Sequence, residues 1–182
     1  DEVFEVGLAA EIVGRIVHEQ LNKKDLKKPL FSSACPAVLR LIQTKFPDLI
    51  EQVAHVLTPM EVAARIAKDE AHRKTGIPYE EIGTFFISPC PAKVTEQRNP
   101  MSTKHSAVNG VIGVNLLYKD ILKQLTHESF HGDTPRQKAT RSGMAWGYVT
   151  GESKTISVGT TLAVSGIHNV MSLLEEIERG EL

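Results

Sequence analysis

The sequence predicts an α/β fold, a parallel or mixed sheet flanked by helices, on three observations. Short apolar runs, Thr84-Phe85-Phe86-Ile87 and Gly110-Val111-Ile112-Gly113-Val114 among them, alternate with stretches whose apolar residues recur at helical spacing. Two runs, Pro29 to Phe31 and Thr84 to Ile87, lead directly into copies of Ser-x-Cys-Pro-Ala, at Ser33-Ala34-Cys35-Pro36-Ala37 and Ser88-Pro89-Cys90-Pro91-Ala92. A proline there cannot continue a sheet, so both read as strand ends. Finally, 182 residues with 41% hydrophobic content suffice to bury roughly 70% of the unfolded surface, as one domain over 1–182 or as two small lobes.

From Leu8, the residues Ile12, Val13, Ile16 and Val17 trace a helix that runs out in the charged loop Asn22-Lys23-Lys24-Asp25. After a strand at Pro29 to Phe31, Val38, Leu39, Leu41 and Ile42 predict a helix with Pro36 in its first turn and its end near Phe46-Pro47. A second amphipathic stretch follows through Ile50, Val53 and Leu57. Thr58-Pro59-Met60-Glu61 is a capping box opening a helix through Val62, Ala63, Ile66 and Ala67. Gly76-Ile77-Pro78 turns into the strand at Thr84 to Ile87; the polar run Thr95 to Ser106 is expected as a loop before the strand Gly110 to Val114. A helix covers Leu116 to Leu125, and the polar segment His131 to Ser142 is expected to be a mobile loop. Gly143, Gly147 and Gly151 space the next segment, for which backbone turns are an adequate explanation. A strand is expected around Thr155 to Val158, and Ile167, Val170, Leu173, Leu174 and Ile177 form a last helix closed by Gly180.

A formal net charge of −1, with basic residues spread along the chain, leaves no electrostatic footprint for nucleic acid or an anionic membrane. No apolar run approaches the ~20 residues that span a bilayer, and Asp1-Glu2-Val3-Phe4 is not a secretory signal. Two cysteines in a chain this long make no secreted disulfide framework, so reduced thiols and a cytoplasmic location are expected. The opening residues, without an initiator methionine, read as an entry into a longer protein.

In α/β proteins binding sites collect outside the carboxyl ends of strands, where both thiols are expected. Proline beside each cysteine withholds a backbone N–H and stiffens the turn, a presentation that suits metal or cluster ligation. The plainer reading is that each cysteine is buried as a small hydrophobe.

The segment Phe31-Ser32-Ser33-Ala34-Cys35-Pro36-Ala37-Val38 with Phe46-Pro47-Asp48-Leu49 resembles the first cysteine motif of iron-only (FeFe) hydrogenases. Phe86-Ile87-Ser88-Pro89-Cys90-Pro91-Ala92-Lys93 resembles the second. The likeness runs through the intervening helices and weakens after about Leu125. It implies the C-terminal H-cluster domain of the large subunit, part of a two-lobed catalytic fold. In that family each motif gives one thiolate to a 4Fe-4S cluster, and a third, Cys-x3-Cys among glycines, gives two more and bridges to a diiron centre. The chain ends before such a motif, which is expected shortly beyond Leu182, since Ser165 to Val170 and Glu178 to Leu182 resemble the helix ahead of it in sensory-type members.

By this resemblance Cys35 and Cys90 are cluster ligands, and Lys93 is the lysine that donates to a cyanide ligand of the diiron site. Glu11 and Arg15 match polar residues of the proton route, and Gly151 matches one of a glycine pair beside the diiron centre. Without the resemblance, Lys93 is a solvated lysine, and Glu11 with Arg15 is an ordinary surface pair at four-residue spacing. The resemblance also implies H2 and protons as substrates, a ferredoxin-like electron carrier or domain, signalling modules in the parent protein, and an anaerobic source. A cluster normally takes four thiolates, so the chain alone is expected to be inactive. Where catalytic members carry a proton-relaying cysteine this chain has Ala34, which has no titratable group. Ser88 replaces a methionine, and Leu8 and Ala54 replace other polar residues of the route. The pattern is similar to the sensory or uncharacterised branch, which makes slow turnover and hydrogen or redox sensing the two expectations.

A rival lies in His127-Glu128-Ser129-Phe130-His131, the His-Glu-x-x-His pattern of zinc metalloproteases. Gly132-Asp133-Thr134-Pro135 breaks the helix at the second histidine, and no third ligand is convincingly placed, Glu152 at most.

Overall fold

A computed structural model of the chain describes residues 2–23, 25–126, 139–156 and 159–181. The chain separates into two compact units, one of Asp1–Glu5 with Met60–Lys138 and one of Val6–Pro59 with Ala139–Leu182. The fold is helix-rich, with a small parallel sheet, and the α/β class stands.

The second of these units is helical. Helix α1 (Val6–Leu21) buries Ala9, Ala10, Val13 and Val17, one stripe at helical spacing. Helix α2 (Pro36–Lys45) starts at a proline, whose missing N–H is no loss in a first turn, and buries Leu39 and Ile42. A 3-10 turn at Pro47–Gln52 follows. Further on come α6 (Arg141–Ala145), α7 (Gly151–Thr155) and α8 (Ile167–Glu178), with α3 to α5 in the other unit. Ile42, Phe46 and Leu49 meet Leu174 of α8 in the core, with Phe31, Val38, Val53, Val170 and Ile177 packed around them. Each such side chain contributes about 1.5–3 kcal/mol by leaving water. Helix α8 ends in a Schellman motif: Gly180 at φ +72° donates to the Ile177 carbonyl at 3.0 Å, and Glu181 to that of Glu176 at 3.0 Å.

The sheet lies in the other unit. Helix α3 (Pro59–Thr75) packs Met60 and Ala64 on Val108, Phe86 and Val111. Strand β1 (Phe85–Ser88) pairs in parallel with β2 (Gly110–Gly113), Phe86 opposite Val111 and Ser88 opposite Gly113. Parallel partners need a crossover, and α4 (Ala92–Arg98) lies within it. Helix α5 (Val114–Thr126) leaves directly from β2.

Four expectations are corrected. Pro29 to Phe31 is not a strand: only Phe31 bridges, donating to the Gln52 carbonyl at 2.7 Å and accepting from Ala54 N–H at 2.8 Å. The amphipathic stretch through Ile50, Val53 and Leu57 is helical only as far as the 3-10 helix Pro47–Gln52, because Val53 turns extended to make that bridge, and tertiary pairing overrides helical periodicity. The polar run from Thr95 begins inside α4, whose Glu96 is almost fully buried at 1% exposure, so polarity there hid a helix. Of the strand expected around Thr155 to Val158, Thr155 closes α7 instead, its hydroxyl donating to the Glu152 carbonyl at 2.7 Å, while Ser157 and Val158 lie outside the described residues. The loop expected over His131 to Ser142 lies mostly outside the described residues, and its end from Arg141 is helical.

Candidate metal centre

Cys35 is the residue before α2, with extended backbone (φ −100°, ψ 106°), and its carbonyl accepts the first helical bond, from Leu39 N–H at 3.1 Å. Its thiol is free and exposed. Three attachments hold the residues ahead of it. Phe31 is bridged to Val53; the buried Ser33 hydroxyl donates to the Val56 carbonyl at 3.2 Å; and the Ser32 hydroxyl donates to Glu152 at 2.6 Å while accepting from Ala34 N–H at 3.1 Å.

Cys90 follows the buried end of β1 and is likewise free and exposed. Its N–H donates to the Ser88 hydroxyl at 3.1 Å, and its carbonyl accepts from Lys93 N–H at 3.2 Å, the start of α4. The two copies therefore share their sequence but not their hydrogen bonding. Pro89 has no N–H, so in the second copy the cysteine amide is capped; in the first it is the Ala34 amide, by the serine one place earlier. The reading of both cysteines as buried hydrophobes is overturned by their exposure.

The other site residues divide between the units. Lys93 sits half-buried in the first turn of α4, three residues beyond Cys90. Glu11 of α1 accepts the Thr140 N–H at 2.7 Å and the Thr140 hydroxyl. The Thr140 hydroxyl holds its carboxyl below the usual carboxylate range, with smaller help from backbone N–H groups and from Arg15, against a rise from burial. Arg15 is exposed on the same helix. Gly151 is buried at the start of α7, where an added Cβ would fall inside the Ala145 carbonyl. That close approach accounts for glycine there by packing alone.

Two residues of the site were not assigned to it from sequence. Ser32 was read only as part of a motif, and Glu152 only as a candidate zinc ligand, yet together they brace the Cys35 loop across 120 positions of sequence. No local pattern encodes a contact of that span. Burial raises the carboxyl of Glu152 above its usual range, partly offset by the Ser32 hydroxyl. His127 and His131 lie outside the described residues. Among the described residues no three His, Cys, Asp or Glu side chains gather in a way that could hold a metal ion. Each loop thus presents one accessible thiol from a proline-stiffened turn, a donor of the kind that suits a soft metal or an iron–sulfur cluster, and two such thiols do not by themselves make a four-thiolate shell.

The profile of the family described as iron only hydrogenase large subunit, C-terminal domain, matches residues 1–157, and the chain belongs to that family. It is 26% identical over 126 residues to the NADP-reducing hydrogenase subunit HndD of Solidesulfovibrio fructosivorans, covering 64% of this chain and 21% of that one. It is 22% identical over 109 residues to iron hydrogenase 1 of Clostridium pasteurianum, 57% of this chain and 19% of that one. The fold is similar to that of a solved FeFe-hydrogenase whose oxygen inactivation is initiated at the 2Fe subcluster of its H cluster. The TM-score is 0.59 at 18% identity, covering 98% of this chain and 43% of that one. The chain therefore spans less than half the length of the proteins it matches.

Proposed function

We propose that this chain supplies Cys35 and Cys90 as two of the four thiolates of the 4Fe-4S part of an H cluster, in a protein that interconverts protons and H2 slowly or senses H2 or redox state. The observation that carries the reading is the pair of Ser-x-Cys-Pro-Ala loops, each presenting a free, exposed thiol next to a helix start. The remaining thiolates are not among these 182 residues. When bound, the cluster and its diiron partner supply the electrons and the hydrogen-binding metal. Lys93, one helical turn past Cys90, supplies a cationic donor toward a cyanide ligand, the kind of charge-assisted bond that is about twice as strong as a neutral one.

Proton delivery separates the two versions of the function. Glu11 holds a carboxylate and Arg15 a fixed cation on α1, but Leu8, Ala54 and Ala34 interrupt a route past them, since none can carry a proton. That break favours sensing or slow turnover. An electron carrier of ferredoxin type, signalling modules in the parent protein, a cytoplasmic location and an anaerobic source follow from the same reading. Among the described residues no helix is long and apolar enough to cross a membrane. In this reading Gly151 is one of the glycine pair beside the diiron centre, and its missing side chain also permits the close approach to the Ala145 carbonyl.

Anaerobic reconstitution with iron, sulfide and excess dithiothreitol to complete the ligand set tests the ligand assignment. Charge-transfer absorption that disappears in both Cys35→Ala and Cys90→Ala is the expected result; binding undiminished in either variant sinks it. On the longest natural polypeptide containing these residues, hydrogen evolution at the rate of ordinary hydrogenases would overturn the slow or sensory version.

A further inference from the structure

The loop ahead of Cys35 is braced by a residue that belongs neither to its motif nor to its neighbourhood in sequence. The Glu152 carboxylate accepts the Ser32 hydroxyl at 2.6 Å, which fixes the hydroxyl rotor and leaves its oxygen to accept from Ala34 N–H at 3.1 Å. The other attachments of this loop, Phe31 to Val53 and Ser33 to Val56, come from residues some twenty positions downstream and act one on each side of Ser32. Glu152 is the contact that orients the Ser32 side chain and so sets the Ala34 amide immediately before the thiol-bearing residue. It can do so because Gly151 lets α7 lie against the Ala145 carbonyl, where any side chain would hold the helix away.

We propose that Glu152 is a positioning residue for Cys35: through Ser32 it fixes the path of the loop that presents the thiol, without touching the thiol. The proposal rests on the reading of Cys35 as a ligand for its purpose, but the positioning itself is testable without any cluster.

The experiment is hydrogen exchange by mass spectrometry on the cluster-free protein, paired with iodoacetamide labelling of Cys35, using Cys90 in the same molecule as the reference. In Glu152→Ala, exchange in the segment 32–35 rises about tenfold, the size expected for loss of a hydrogen bond to a carboxylate. Cys35 labelling changes with it while Cys90 labelling does not. Glu152→Gln, whose amide oxygen still accepts from Ser32, restores values close to wild type, and adding Ser32→Ala to Glu152→Ala changes nothing further. Unchanged exchange at 32–35 in a folded Glu152→Ala protein overturns the proposal. So does failure of the Gln variant to restore it, or an equal response at Cys90, which would signal general loosening. The reconstitution assay fails or succeeds separately: an intact brace with iron binding indifferent to Cys35→Ala leaves the positioning standing and removes the ligand reading.

Discussion

At the scale of single residues, two carboxylates of the helical unit titrate in opposite senses, and the physical causes are different. Glu11 is held below the ordinary carboxylate value of 4.5, chiefly by the Thr140 hydroxyl. A folded-state value below the unfolded one contributes stability that is present above the unfolded pKa and is lost as pH falls through the folded one. Thr140→Val therefore flattens the acid limb: denaturant midpoints of wild type and variant converge as the pH is taken well below 4.5. Glu152 runs the other way. Burial raises it from 4.5, so the folded state favours the proton, and stability present below 4.5 is lost as pH rises through the raised value. Glu152→Gln removes that loss, and its unfolding midpoint should exceed that of wild type at neutral pH and match it near pH 4; the reverse order would refute the assignment.

Single elements carry the next level of consequence, through close backbone approach. Helix α6 reaches α1 only because Gly143 has no side chain, since a Cβ there would overlap the Gly7 carbonyl and crowd the Glu11 carboxylate. Gly143→Ala must separate the two helices or distort the backbone, and a loss of about 1–3 kcal/mol is expected from denaturant unfolding, the range for forced overpacking. Because Thr140 caps α6 and also bonds Glu11, the same variant should bring the Glu11 carboxyl back toward its ordinary value, a change visible by carboxyl NMR. In the sheet unit, α3 is tied to the loop before β2 by Glu61. Its carboxylate, fully buried, accepts the Ser106 hydroxyl and the Ala107 N–H, the latter at 2.8 Å. Removing this buried acceptor leaves two partly buried donors without it, so Glu61→Ala is expected to cost more than a surface substitution, about 2–4 kcal/mol by thermal or denaturant melts.

For the whole molecule, each unit has its own small core, and the helical one depends on residues from both ends of the chain. Ile42 and Leu174 are 0% and 2% exposed within one cluster. Ile42→Ala is expected to lower stability by about 2–5 kcal/mol, the range for buried large-to-small changes, and to loosen α2 beneath Cys35. A loss under 1 kcal/mol would mean that α8 does not close that core.

What the sequence by itself determined was local. The spacing of Val13 and Val17 set α1, Pro36 and Pro59 marked helix starts, Gly180 marked a helix end, and the two Ser-x-Cys-Pro-Ala motifs pointed to the family and the thiols. Each of these is written within a few residues, because helical periodicity and the restricted φ of proline and freedom of glycine act at short range. Tertiary structure decided the rest. Phe31 found a single bridge partner where a strand was expected, Val53 left helical periodicity to provide it, and buried Glu96 sat in a helix that polarity had disguised. Above all, Glu152 met Ser32 across 120 positions. Such pairings depend on which distant surfaces are brought together to leave water, and no window of neighbouring residues contains that information.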